Sequence, residues 1–165
     1  MNKLERLIYD QLKSNPAIKK SIVDVYQNLL ALVPIRRVYS QAPLSIRPGS
    51  FFGFHDKCPW SGDGRYLLAN RYHIPLHMPG PEDKLEIGFY AGDNWTDFRS
   101  LTHTQAWNWQ MGAQLQWLGS SKKLLFNDCI KERHVSRLLE ADGTELNVFS
   151  RPIAATSPDG KWAAG

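Results

Sequence analysis

The sequence predicts a mainly β protein, an incomplete β-propeller of about two blades plus the start of a third, preceded by an N-terminal α-helical hairpin. Three observations predict it. First, Ser61-Gly62-Asp63-Gly64-Arg65-Tyr66-Leu67-Leu68-Ala69 aligns without gaps on Ser157-Pro158-Asp159-Gly160-Lys161-Trp162-Ala163-Ala164-Gly165. Second, a degenerate copy running from Trp117 to Asn127 matches the stretch from Trp60 to Asn70 at both the tryptophan and the asparagine. Third, the intervals between copies read as strand, turn and strand, whereas residues 1–34 follow a helical period.

From the N-terminus, Leu4, Leu7, Ile8 and Leu12 fall at three-and-four spacing on one helix face. Ser14-Asn15-Pro16 reads as a stop and restart, with Ser14 or Asn15 as N-cap and the proline in the first turn, where its missing N–H is no loss. Ile18, Ile22, Val25, Leu29 and Leu32 then form the stripe of a second helix. Pro34 ends it, because the residue before a proline is pushed out of the α region. Residues 35–49 are rich in Pro, Ser and Arg without a period and read as a linker, so the expected organisation is 1–34, 35–49 and 50–165.

Charge follows the same division. Residues 1–48 hold eight Lys/Arg against three Asp/Glu, net +5, and the rest holds 12 basic against 13 acidic residues. The hairpin is expected to pack as a helical cap. The competing reading is peripheral contact of residues 1–34 with an anionic membrane surface. Tight interfacial anchors use Trp or Phe, and here only Tyr9 and Tyr26 are aromatic. Eight dispersed charges are too sparse for a nucleic-acid partner.

In the repeat, Asp-Gly supplies a positive-φ turn and the apolar residues after it suit a buried strand. From Asp63 to Ser120 is 57 residues and from Ser120 to Asp159 is 39. Residues 73–83, with Pro75, Pro79 and Pro81, read as an 11-residue insertion, and removing them leaves 46. Both intervals then approach the roughly 40–50 residues of a propeller blade. Within them, residues 85–90, Ala91-Gly92-Asp93 and residues 98–102 repeat the plan of residues 135–139, Ala141-Asp142-Gly143 and residues 146–149. Four short strands per repeat make a β-meander blade. The alternative arrangement is three unrelated hairpins in a sandwich. Because a ring takes roughly four to eight blades, the chain is expected to be the N-terminal piece of a longer protein, or to associate with copies of itself.

Ser157-Pro158-Asp159-Gly160-Lys161 resembles the Ser-Pro-Asp-Gly-Lys signature of TolB-like β-propeller repeats, found also in oligogalacturonate lyases and in propeller domains of prolyl oligopeptidases. The resemblance covers about residues 50–165. It implies the propeller fold and little about activity, since such propellers serve as scaffolds, binders and enzymes. Trp107-Asn108-Trp109-Gln110-Met111-Gly112 is similar to a segment of bacterial propeller proteins associated with surface-polysaccharide synthesis. The likeness to oligogalacturonate lyases implies a divalent metal held by histidines and a glutamine from several blades. His103 and Gln110 match no diagnostic spacing, so no metal ligand is carried over.

The densest aromatic cluster is Trp107, Trp109 and Trp117, interleaved with Asn108, Gln110, Gln114 and Gln116. On a strand, Trp107 and Trp109 would share one face and Asn108 and Gln110 the other. Stacking rings beside amide groups are what a sugar needs; large aromatics filling space between blades are the structural alternative. His55-Asp56 could orient a proton-transfer group or a ligand. Neighbours on a strand point to opposite faces, however, which favours a structural Asp56. His73 and His77 are four apart, but Pro75 between them breaks the helix that would pair them on a metal. Asp56 and Asp128 form a conceivable carboxylate pair with nothing in the sequence to set their separation.

Composition excludes several classes. With 42% hydrophobic and 22% charged residues the chain suits a globular domain. Its longest aliphatic run, Leu29 to Val33, cannot span a bilayer. Glu5 and Asp10 interrupt any secretory h-region. Cys58 and Cys129 form no Cys-x-x-Cys pair. Phosphate-loop, dinucleotide and Gly-x-Ser-x-Gly motifs are absent. The expectation is a cytoplasmic, accessory or carbohydrate-binding propeller of bacterial polysaccharide metabolism, with no cofactor and no catalysis evident. Its candidate ligand residues are Trp107, Asn108, Trp109, Gln110, His55 and Asp56. The alternatives are a metal-dependent propeller enzyme whose site needs further blades, and a protein-interaction scaffold.

Overall fold

The computed structural model describes residues 16–32 and 44–165. The first helix of the expected hairpin, with Leu4, Leu7, Ile8 and Leu12, lies outside the described residues, as does most of the linker. The chain divides into two units, Met1–Ser45 and Ile46–Gly165. In the first, Ile18, Ile22, Val25 and Leu29 of the expected stripe lie on one helix, α1 (Pro16–Ala31), whereas Leu32 falls in the turn just past its end.

The second unit is built of three antiparallel sheets. β1 (Ser50–Phe51), β2 (Leu67–Tyr72), β3 (Leu85–Ala91) and β4 (Asp97–Thr104) form a four-stranded sheet in chain order. β5 (Gln116–Trp117), β6 (Lys123–Ile130), β7 (Arg133–Glu140) and β8 (Glu145–Phe149) form a second sheet on the same plan. β9 (Ala155–Thr156) and β10 (Ala163–Ala164) pair as a two-stranded third. All three are open sheets, and the four expected strands fall inside β3, β4, β7 and β8. Residues 73–83 carry no strand and connect β2 to β3.

The three sequence copies form one loop, repeated. Ser61, Leu118 and Ser157 each donate their N–H to the carbonyl five residues on (Tyr66, Lys123 and Trp162). Each also accepts, on its own carbonyl, the N–H three residues on (Gly64, Ser121 and Gly160). In the two strict copies the side chains repeat as well. Ser61 Oγ donates to Asp63 Oδ1 at 2.7 Å and accepts the Tyr66 N–H at 2.9 Å. Ser157 Oγ donates to Asp159 Oδ1 at 2.6 Å and accepts the Trp162 N–H at 2.9 Å. Gly64 and Gly160 take φ of 70° and 69°, where a side chain would be strained. The loops stand side by side, with Gly62 against Ser120 and Gly119 against Pro158.

The core lies between the first two sheets. Leu68, Leu85, Ile87 and Phe89 of the first meet Trp117, Leu124 and Phe126 of the second, and Leu115 just before β5, in one buried cluster. Trp117, the third member of the tryptophan cluster, stacks 6.2 Å from Phe89 and donates its indole N–H to the Pro59 carbonyl at 2.9 Å. A buried aromatic with its one polar atom satisfied contributes packing without an orphan donor. A polar clamp reinforces the seam. Buried Asp128 on β6 accepts from Thr104 Oγ1 of β4 at 2.8 Å and from Arg137 of β7 at 3.0 Å.

Candidate functional site

Trp107, Asn108, Trp109 and Gln110 all lie in the connection from β4 to β5, and there the structure corrects the sequence reading. They form a turn rather than a strand. Asn108 exchanges both backbone hydrogen bonds with Gly112, and its Oδ1 accepts the Gln110 and Met111 N–H groups at 3.0 and 2.8 Å. An asparagine oxygen that captures nearby amides offers the backbone an alternative to a ladder. Gly112, at φ 59°, closes the turn directly against Asn70 and Phe52, where any side chain would collide.

Trp107 and Trp109 still reach the same side, edge to face with centroids 5.0 Å apart. Phe51 lies 6.3 Å from Trp107, and Tyr72 lies 5.0 Å from Trp109. Both indole donors are used internally. Trp107 Nε1 donates to the Asp83 carbonyl at 2.8 Å and Trp109 Nε1 to the His77 carbonyl at 2.6 Å. The two rings therefore brace the loop at residues 73–83.

Trp107 and Asn108 also line a cleft of about 390 Å³, together with Gln105, Gln114, Asn127 and His134. This volume is at the scale of small-ligand sites. Its amides share one property. The oxygens of three are engaged by the scaffold: Asn108 Oδ1 by the turn, Gln114 Oε1 by Lys57 Nζ at 2.7 Å, and Asn127 Oδ1 by Ser136 Oγ and the Ile153 N–H. Their NH₂ groups, and the whole Gln105 amide, have no protein partner among the described residues. Trp109 and Gln110 are not part of this cleft.

His55 and Asp56 stand elsewhere, in a turn after β1. Asp56 pairs with Lys57 at 2.7 Å, and that hydrogen bond, outweighing desolvation, holds its carboxyl below the ordinary value of 3.8. His55 stacks on Phe54 at 4.2 Å. Asp56 and Lys57 border a second cleft of about 390 Å³ with Cys58, Trp60, Gln116 and Ser157. The structural part expected of Asp56 is thus taken mainly by its ion pair with Lys57. The six predicted ligand residues are not one site, and only Trp107 and Asn108 share the amide-lined cleft.

The remaining candidates have separate partners. His73 meets Glu86 at 2.9 Å, whereas His77 Nδ1 meets the Met78 carbonyl at 2.8 Å. Asp128 is clamped by Thr104 and Arg137, apart from Asp56 and its lysine. Among the described residues, no three His, Cys, Asp or Glu side chains gather as a metal site would require. Within the same residues no helix is long and apolar enough to cross a membrane.

Sequence reasoning missed Gln105 and His134, which neither spacing nor motif marks. Asn127 carried a signal as the counterpart of Asn70 in the repeat, and Gln114 as a neighbour of the tryptophans. The fold and cleft together define a β-rich protein of repeated antiparallel sheets with an amide-lined cleft. No family model, curated protein or solved structure matches this chain.

Proposed function

We propose that residues 50–165 are two blades and the opening hairpin of a third in a TolB-like β-propeller, serving as a non-catalytic saccharide-binding protein of bacterial polysaccharide metabolism in the cytoplasm. The blade reading is supported by the repeated loop, its three copies sharing one hydrogen-bond pattern and standing side by side. The single observation that carries the ligand reading is the cleft of Gln105, Trp107, Asn108, Gln114 and Asn127. It sets unpaired amide donors beside an aromatic ring, the combination that hydroxyls and a sugar C–H face demand. A glycan array on the chain tests it. Binding that falls on Gln105→Ala is expected, since that amide holds up nothing else. Absence of binding to every glycan would refute the reading.

One observation favours a protein-interaction scaffold as the second reading. Leu76 and Met78 are each 80% exposed on the loop that Trp107 and Trp109 pin in place. A preorganised loop presenting two apolar side chains is a docking epitope at low entropic cost. Leu76→Ser combined with Met78→Ser would abolish such docking and leave glycan binding intact.

A further inference from the structure

We infer that the amide-lined cleft selects a neutral, N-acetylated sugar, an inference that rests on the saccharide reading and narrows it. Three of its amides have their oxygens committed to the scaffold, so the NH₂ groups of Asn108, Gln114 and Asn127 offer donors and seek acceptors. A hydroxyl can satisfy a donor, but it also brings a proton that needs an acceptor, and these amides have few to spare. A carbonyl oxygen is an acceptor alone and matches the surplus.

Charge then separates the two carbonyl-bearing classes. Among the described residues the lining contains no Lys, Arg, Asp or Glu. The nearby Lys57, on Gln114 Oε1, is already paired with Asp56 at 2.7 Å, so a carboxylate entering the cleft would lose hydration with little positive charge left to compensate it. A neutral acetamido group has no such penalty. The rest of the lining suits its methyl group, because Ala106, Met111 and Pro152 place small and apolar surface beside the Trp107 ring. Donors for the carbonyl, apolar wall for the methyl and an aromatic edge for the pyranose lie within one cleft.

The test is isothermal titration of the 165-residue chain with four trisaccharides: tri-N-acetylchitotriose, its deacetylated form, cellotriose and trigalacturonate. The N-acetylated trimer should bind at least about tenfold more tightly than cellotriose, the gain of roughly one to two neutral hydrogen bonds with a buried methyl. Gln105→Glu, which exchanges a donor for a charged acceptor, should abolish that preference while the melting profile stays unchanged. Equal binding of cellotriose, or tighter binding of the deacetylated trimer or trigalacturonate, would overturn the acetamido inference and leave the saccharide reading standing. No binding by any of the four would overturn the acetamido inference, and a glycan array equally without binding would overturn the saccharide reading as well.

Discussion

Ser61 and Ser157 make the same hydrogen bonds in different surroundings, so mutating each to alanine measures burial at constant chemistry. Ser61 is 5% exposed, and its Oγ is both donor to Asp63 and acceptor of the Tyr66 N–H. Ser61→Ala strands that backbone donor where water enters poorly, at a cost of about 2 kcal/mol, within the range for an unsatisfied buried group. Ser157 holds Asp159 and the Trp162 N–H at an exposed hairpin, where water replaces the lost oxygen. Ser157→Ala should therefore cost less than about 1 kcal/mol. For a domain of this size roughly 2–4 °C accompanies each kcal/mol, so thermal melts should fall by about 4–8 °C for Ser61→Ala and by less than about 4 °C for Ser157→Ala. If Ser157→Ala proved as damaging as Ser61→Ala, the claim that burial separates two chemically identical loops would fail.

Two more outcomes follow from the same contacts. Trp109→Phe keeps a ring against Tyr72 but removes the donor to the His77 carbonyl, so residues 73–83 should be cut several-fold faster in limited proteolysis while the sheets stay resistant; unchanged cleavage would show that the indole N–H does not hold the loop. Acid should weaken the fold: Asp63 and Asp159 lie below their ordinary 3.8 because Ser61 and Ser157, and then the Arg65 and Lys161 amides, donate to their charged forms. Stabilisation from a lowered carboxyl is complete above the unfolded value and drains away as pH falls through the folded one. Urea midpoints should be flat from pH 7 to about 5 and drop towards pH 3, with a shallower drop in Asp63→Asn; a midpoint at pH 3 equal to that at pH 7 would contradict the hydrogen-bond account.

Local chemistry wrote much of this architecture into the sequence. Asp-Gly at a positive-φ position, a preceding serine to cap the aspartate, and an apolar run behind it dictate a loop and a strand wherever they occur. The gap-free alignment of Ser61 with Ser157 therefore became an atom-for-atom match. The degenerate copy survived because its loop rests on backbone bonds, with Ser121 Oγ accepting the Lys123 N–H that the serine hydroxyl takes in the strict copies and that Leu118 cannot take here. Strand positions in β3, β4, β7 and β8 were legible for the same reason, since apolar runs between turn residues have few other uses.

The site was legible only in part. Trp107 and Asn108 stood out by composition, but whether Asn108 faces a ligand or caps its own turn depends on Gly112 fitting against Asn70, 42 residues earlier in the chain. Side-chain amides are indifferent to their partners in sequence; Lys57 decides what Gln114 has left to offer, and Ile153 does the same for Asn127. The sequence by itself determined the repeating loops and strands, because these depend on contacts a few residues apart. Only the tertiary structure decided which donors were consumed and which remained at the cleft, because hydrogen-bond satisfaction is settled between segments that meet after folding.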